Sequence, residues 1–146
     1  DIKLMDKDID EAYHPMSVVM TLEDEFDLSR GDMIVRKNNR PEASQDLEAM
    51  LCWLSEAPLN PASKLLVKHT SNEVKARIKD ILYKVDIETL HKNEEDKKVS
   101  MNDIARVRLR INKPIFADKY RTNRRTGSFI LIDEATNNTV AAGLKI

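Results

Sequence analysis

The sequence predicts an all-β protein whose larger part is a small antiparallel β-barrel. Two observations predict this fold. Apolar side chains alternate with polar ones in several segments, and such segments recur along the chain with turn residues between them. Six predicted strands at this spacing, with little helix, favour a small barrel.

The first part of the chain predicts two strands and then a domain boundary. Residues 17–22 form a short β-branched run, and the acidic residues 23–25 interrupt it. Residues 30–32 have the composition of a turn and precede a second apolar run at residues 33–35. Apolar side chains then cease, and we expect the boundary near residues 36–42.

The next two strands are predicted from apolar runs with prolines between them. Residues 50–54 and 65–67 are apolar, and residues 57–61 contain two prolines. Proline is poorly tolerated inside a strand, so residues 57–61 are predicted to form a loop.

A change of hydrophobic phase predicts a β-bulge. Over residues 73–79 the apolar residues occupy even positions, and after Asp80 they occupy odd ones. A strand that keeps its inward face inward across such a slip needs one extra residue, so we expect a bulge near Asp80. A helix over residues 73–85 is the alternative. The alternating apolar residues are Val74, Ala76, Ile78, Ile81, Tyr83, Val85 and Ile87.

Three further strands complete the predicted barrel. Residues 90–98 are mostly charged and predict a surface loop. Residues 104–111 show the clearest alternation in the chain, and residues 127–132 and 139–143 predict the last two strands.

Composition and charge exclude some classes of protein. The chain has 146 residues, with 24 basic and 25 acidic side chains and a net charge of -1. This balance does not indicate a general nucleic-acid or membrane partner. No segment has the length of a membrane span or the pattern of a signal peptide, so we expect a cytoplasmic protein. The abrupt start at Asp1 indicates an excerpt of a longer chain.

The sequence contains no recognisable catalytic, nucleotide or metal motif. None of its three glycines belongs to a phosphate-binding loop. Three aspartates from Asp6 to Asp10 resemble the start of a calcium loop, but Glu11 stands where that loop needs glycine. Cys52 is expected to be packed and inert. The other possible metal ligands share no metal-like spacing and are expected to be satisfied or solvent-facing: His14, His69 and His91.

Two basic features are candidate partner contacts. One face of the strand at residues 104–111 carries three arginines, and residues 119–125 form a basic loop with one aromatic side chain. Each feature fits either a contact surface or a solvated face neutralised by nearby carboxylates. The candidate contact residues are Arg106, Arg108, Arg110, Tyr120, Arg121, Arg124 and Arg125.

Long stretches of the sequence resemble the large subunit of sulfate adenylyltransferase. Residues 118–133 and 136–143 are similar to the last hairpin of that family, and residues 22–34 resemble the end of its second domain. Trp53, residues 68–70 and residues 102–104 occur in the expected order. The family resembles elongation factor Tu, in which a GTPase domain precedes two β-barrels.

The resemblance implies both an architecture and a function. Residues 1–36 would be the end of barrel two, and residues 42–146 would be all of barrel three. In the family, GTP hydrolysis drives the small subunit's reaction, in which ATP and sulfate give adenylyl sulfate and pyrophosphate. GTP and magnesium are therefore implied for the full-length protein, although no catalytic or cofactor-binding residue carries over to this chain. The implied partners are the small subunit and the protein's own GTPase domain, and the resemblance leaves open whether an adenylyl sulfate kinase is fused to the chain.

One residue departs from the family pattern, since Lys145 stands where an apolar residue is expected.

Two other classes of protein are alternatives to the sulfate adenylyltransferase large subunit. The stronger alternative is a translation GTPase, whose third barrel helps to hold aminoacyl-tRNA. The third possibility is a structural coupling barrel without a partner surface.

Overall fold

The structure, a computed structural model, describes all residues from Asp1 to Ile146. It contains ten strands and no helix, which confirms the all-β prediction. The chain forms two compact units, Asp1–Asp32 and Met33–Ile146.

The first unit is a small three-stranded antiparallel sheet. Its strands are β1 (Ile2–Leu4), β2 (Lys7–Ile9) and β3 (Val19–Met20), in the order β2-β1-β3. The strand predicted at residues 17–22 is therefore only two residues long. None of the side chains in this unit is fully buried.

The strand predicted at residues 33–35 is absent. These residues have no neighbouring strand to pair with, and the backbone there is irregular. An apolar run forms a strand only where a partner accepts its backbone hydrogen bonds. The turn before it is present, since Asp32 N donates to the carbonyl of Ser29 at 3.0 Å.

The second unit contains a closed six-stranded barrel. Its strand order is β5-β9-β10-β4-β8-β6, and pairing between β5 and β6 closes the ring. All pairings are antiparallel, and a short strand, β7, is added beside β6. The strands are β4 (Ala43–Trp53), β5 (Leu65–His69), β6 (Asn72–Val85), β7 (Lys92–Asn93), β8 (Ile104–Phe116), β9 (Ser128–Asp133) and β10 (Thr139–Lys145).

The barrel core follows the alternation in the sequence. On β8 the inward residues Ala105, Val107, Leu109 and Ile111 are at most 1% exposed, while the residues between them face outward. β4 has the same period, with every second residue from Leu47 onward buried. Successive side chains on a strand point to opposite faces, so this pattern places one face of each strand in the core.

The predicted bulge in β6 is confirmed. Ile78 pairs with Leu109 and Asp80 with Arg108, so Lys79 is an extra residue on β6. The bulge keeps both Ile78 and Ile81 buried. The alternative of a helix over residues 73–85 is wrong.

A second bulge in β6 corrects the prediction for Tyr83, Val85 and Ile87, and Val85 is half-buried opposite Ile104, a residue outside the inward series of β8. The register shifts again between Ile81 and Tyr83, and Tyr83 pairs with the outward residue Arg106. Tyr83 therefore shares the outer face with that arginine instead of continuing the inward series. Ile87 lies beyond the end of the strand and is 65% exposed.

Cys52 and Lys145 also differ from expectation. Cys52 is half-buried and alternates with the core residues Leu51 and Trp53, so it lies outside the core. Lys145 is buried, and its Nζ donates to the carbonyl of Ala117 at 2.5 Å. A buried ammonium group needs such a partner, and this contact accounts for a lysine at the apolar position.

We expect hydrogen exchange to be faster in the first unit than in the barrel. Its strands are short and bury no side chain completely, so few contacts oppose local opening. Amides of residues 2–20 should exchange much sooner than those of residues 105–111 in a mass-spectrometric time course. Equal protection of the two segments would contradict this expectation.

Candidate partner-binding surface

The three arginines of β8 lie together on the outer face of the barrel. The neighbouring strand β4 supplies the carboxylates Glu48 and Asp46, because these residues pair with β8 on the same face. The structure therefore confirms the predicted placement of Arg106, Arg108 and Arg110 on one face, opposite the core.

Arg106 and Arg110 are held by neighbouring side chains. Arg106 Nε donates to Glu48 Oε1 at 2.5 Å and its NH1 to the Tyr83 hydroxyl at 3.4 Å. The hydrogen bond to Tyr83, followed by that to Glu48, raises the pKa of Arg106. Arg110 NH1 donates to Asp46 Oδ2 at 2.5 Å.

Arg108 is the least constrained of the three. Its only ion pair is with Glu48 Oε2 at 4.0 Å, and its side chain is 56% exposed. Carboxylates therefore neutralise most of the charge on this face. Of its three arginines, only Arg108 remains available for a partner.

The basic loop between β8 and β9 carries three arginines that lack carboxylate partners. Arg121, Arg124 and Arg125 are exposed and form no ion pair in the structure, whereas Tyr120 is half-buried. Three unpaired guanidinium groups within five residues make this loop the strongest anion-attracting segment among the predicted contact residues.

The loop is held by backbone hydrogen bonds, one to the end of β10 and one within the loop. Tyr120 N donates to the carbonyl of Lys145 at 2.9 Å, and Gly127 N donates to that of Asn123 at 2.8 Å. A Cβ at Gly127 would stand 2.4 Å from Tyr120 Cα, so only glycine fits this closure. The arginines are thus presented on a closed loop.

A buried histidine supports the base of the loop. His69 is 1% exposed, and its Nε2 donates to the carbonyl of Thr126 at 2.6 Å, while Nδ1 has no protein partner. Thr126 Oγ1 in turn donates to Asp118 Oδ2 at 2.6 Å. One of the two ring nitrogens of His69 thus has a hydrogen-bond partner, whereas His14 and His91 are exposed.

The acidic partners of the arginines are the residues that sequence reasoning missed. Asp46 and Glu48 lie about 60 residues away from β8 in the chain, as in the pair Arg106–Glu48 with a separation of 58. Their alternation with apolar residues on β4 was the available signal, but only the register of β4 against β8 brings the charges together.

No group of three or more His, Cys, Asp or Glu side chains is placed to hold a metal ion. No helix is present that could cross a membrane.

Asp133 accepts hydrogen bonds from the turn between β9 and β10. Its Oδ1 accepts hydrogen bonds from the backbone N–H groups of Thr136 and Ala135, at 2.8 and 3.0 Å. The hydrogen bonds from Thr136 are the main cause of a lowered pKa for Asp133. The associated stability is therefore present above the ordinary carboxyl pKa of about 4 and is lost as the pH falls through the lowered value.

We therefore expect Asp133→Asn to be less sensitive to acid than the wild type. Between about pH 7 and about pH 2 the urea midpoint of the wild type should fall further than that of the variant, because only the wild type has this carboxylate to protonate. Parallel curves for the two proteins would contradict this role.

Comparison with known proteins agrees with the barrel geometry. The sequence model of the family described as GTP-eEF1A C-terminal domain-like matches residues 46–145, which span nearly all of the barrel. The chain belongs to this family. The crystal structure of Sup35 complexed with GDP is similar in fold, with a TM-score of 0.66 at 18% identity over 75% of this chain and 27% of that one.

Two curated relatives are much more similar in sequence to this chain than Sup35 is. The bifunctional enzyme CysN/CysC of Rhodopirellula baltica is 47% identical over 99% of this chain and 22% of its own length. The sulfate adenylyltransferase subunit 1 of Sulfurovum sp. is 46% identical over 91% of this chain and 28% of its own length. The resemblance to the sulfate adenylyltransferase large subunit is thereby confirmed, and the chain spans about a quarter of the length of these relatives.

Proposed function

We propose that this chain is the non-catalytic C-terminal barrel region of the GTPase subunit of a sulfate adenylyltransferase. The identity of 47% over nearly the whole chain to an enzyme of this kind carries the proposal. The full-length protein would hydrolyse GTP to drive formation of adenylyl sulfate and pyrophosphate from ATP and sulfate on a small subunit in the cytoplasm. On this proposal, residues 1–36 are the end of barrel two.

The barrel would act by contact. Its closed sheet has no free edge within the ring, so partners would meet side chains and loops rather than backbone. The basic loop supplies three exposed, unpaired arginines, and Arg108 adds a fourth weakly paired one. Carboxylates of the small subunit or of the GTPase domain would fit these guanidinium groups.

GTP and magnesium would bind to the GTPase domain and not to this barrel. The glycines of the barrel do not open onto a phosphate-sized space, because a Cβ at Gly127 would meet the backbone of Tyr120 and one at Gly143 would meet the ring of Phe129. We expect that the 146-residue chain binds neither GTP nor ATP in titration calorimetry with magnesium present. Saturable binding of either nucleotide would contradict this assignment.

The rival proposal, a translation GTPase that holds aminoacyl-tRNA, also fits a barrel of this family. The basic loop favours it, but the net charge of -1 does not favour extensive contact with RNA. Co-purification separates the two proposals. A tagged full-length protein should retain a sulfate adenylyltransferase small subunit and not aminoacyl-tRNA. The opposite result would favour the translation factor.

The full-length protein either carries a fused adenylyl sulfate kinase or lacks one. The relative from Rhodopirellula baltica is described as bifunctional, whereas the Sulfurovum relative is a single subunit. The gene that encodes the full-length protein decides between these two arrangements.

A further inference from the structure

A large bulge in β8 opens a groove on the outside of the barrel. Gln45 is the only residue of β4 that faces residues 111–114 of β8, so four residues oppose one. The pairs on either side of the bulge are Ser44 with Ile115 and Asp46 with Arg110. Bulges of this kind occur often beside functional sites, where they change the direction of side chains.

Side chains replace the missing backbone hydrogen bonds. Gln45 Nε2 donates to the carbonyl of Asn112 at 3.2 Å, and Lys75 N donates to Asn112 Oδ1 at 2.9 Å. These bonds tie the bulge to both neighbouring strands. Beside it lies an open groove of about 530 Å³.

The groove has a cationic rim around a base formed by core residues. Leu65, Ala76 and Ile111 line this base, and each belongs to the barrel core and is at most 3% exposed. Four cations and one carboxylate surround them, so the rim has an excess of positive charge. The charged lining residues are Lys64, Lys75, Arg77, Arg110 and Glu134.

Two of these cations already hold carboxylates of the same chain. Lys75 Nζ lies 2.7 Å from Glu134 Oε1, and Arg110 NH1 lies 2.5 Å from Asp46 Oδ2. The hydrogen bond from Lys75 lowers the pKa of Glu134, and the charge of Lys64 adds to this effect. The positive charge of the groove therefore acts on a carboxylate placed within it.

The other two cations are unsatisfied. Lys64 and Arg77 form no ion pair, and Arg77 is paired directly across the sheet with Arg110. Like charges placed directly opposite each other on one face destabilise a sheet. Asp46 offsets part of this repulsion by pairing with Arg110, and an anion bound beside Arg77 would reduce it further.

The lining favours carboxylates over phosphate groups. Phosphate sites usually rely on free backbone N–H groups, but Ala76 lies within paired strands here and Lys75 N is already bonded to Asn112. Acidic side chains need only the charged side chains of the groove. Alternate side chains of an extended peptide lie about 6.6 Å apart on one face, which suits an open groove.

We propose that this groove binds an extended acidic peptide segment of a partner protein, with Lys64 and Arg77 receiving its carboxylates. The site is separate from the basic loop and does not depend on the proposed role in sulfate activation. It shares only Arg110 with the arginines of β8.

Fluorescence anisotropy with a labelled peptide of alternating glutamate and valine tests the proposal. The 146-residue chain should bind this peptide, and the matched glutamine–valine peptide should not bind. Arg77→Glu should weaken binding about tenfold, since it replaces attraction by repulsion, and Lys64→Glu should do the same. Raising the salt from about 0.05 M to about 0.5 M should also weaken binding.

Lys79→Glu is the matched control. Lys79 lies on the same strand as Arg77 and is also exposed, but it does not line the groove. Reversing the charge of Lys79 should leave the affinity for the peptide unchanged. Thermal melts should confirm that all variants fold. The proposal is overturned if Lys79→Glu weakens peptide binding as much as the groove variants do, or if the glutamine–valine peptide binds equally well. It is also overturned if an RNA oligonucleotide or inorganic phosphate binds at these residues in place of the peptide.

Discussion

On the proposed function, replacing Arg121, Arg124 and Arg125 together by glutamate should weaken the association of the full-length protein with the small subunit by about 10²-fold or more. None of these arginines has a carboxylate partner within the chain, so their charges are available to another surface. Reversal converts three attractions into repulsions, and each close charge pair at an interface contributes on the order of 1.5 kcal/mol or more. Surface plasmon resonance with immobilised small subunit measures the loss.

A triple reversal elsewhere on the barrel controls for net charge. Lys79, Lys98 and Lys113 are exposed and form no ion pair, so their replacement by glutamate changes the charge by the same amount. This control should retain most of the affinity. If both triple variants bind equally well, the basic loop is a solvated segment and the small subunit binds elsewhere.

Leu109→Ala should destabilise the barrel by about 2–5 kcal/mol, the usual range for loss of a large side chain from a core. Leu109 is 0% exposed and lies between Leu47 of β4 and Ile78 of β6, both of which are buried. The closed ring gives the surrounding strands little freedom to collapse into the space. Urea unfolding at equilibrium measures the change in free energy.

An exposed position further along the same strand provides the comparison. Lys113→Ala on the same strand removes an exposed side chain without an ion pair and should change the stability by less than about 0.5 kcal/mol. A loss of the same size in both variants would contradict the placement of β8 in the barrel.

The sequence predicted the parts of the fold that depend on local alternation. The inward series on β8 is strict, and the phase slip at Asp80 is a direct consequence of the bulge at Lys79. The second bulge was not predictable in the same way, because Leu82 and Tyr83 are both acceptable on either face of a strand. Only pairing with Arg106 places Tyr83 outside.

Features set by distant residues could not be read from the sequence. The neutralisation of Arg106 and Arg110 depends on the register of β8 against β4, and the buried ammonium group of Lys145 depends on the carbonyl of Ala117. The groove beside Gln45 likewise results from the register shift of the same strand pair. The basic loop was predictable because its residues are contiguous in the chain.

Formation of adenylyl sulfate by the full-length protein tests the central claim most directly. The protein should be mixed with its small subunit, ATP, sulfate and magnesium, with and without GTP, and adenylyl sulfate and pyrophosphate should be measured. The account predicts that product accumulates in step with GTP hydrolysis and falls sharply when GTP is omitted. GTP hydrolysis that is unaffected by the small subunit and yields no adenylyl sulfate, together with tight binding of aminoacyl-tRNA, would contradict it.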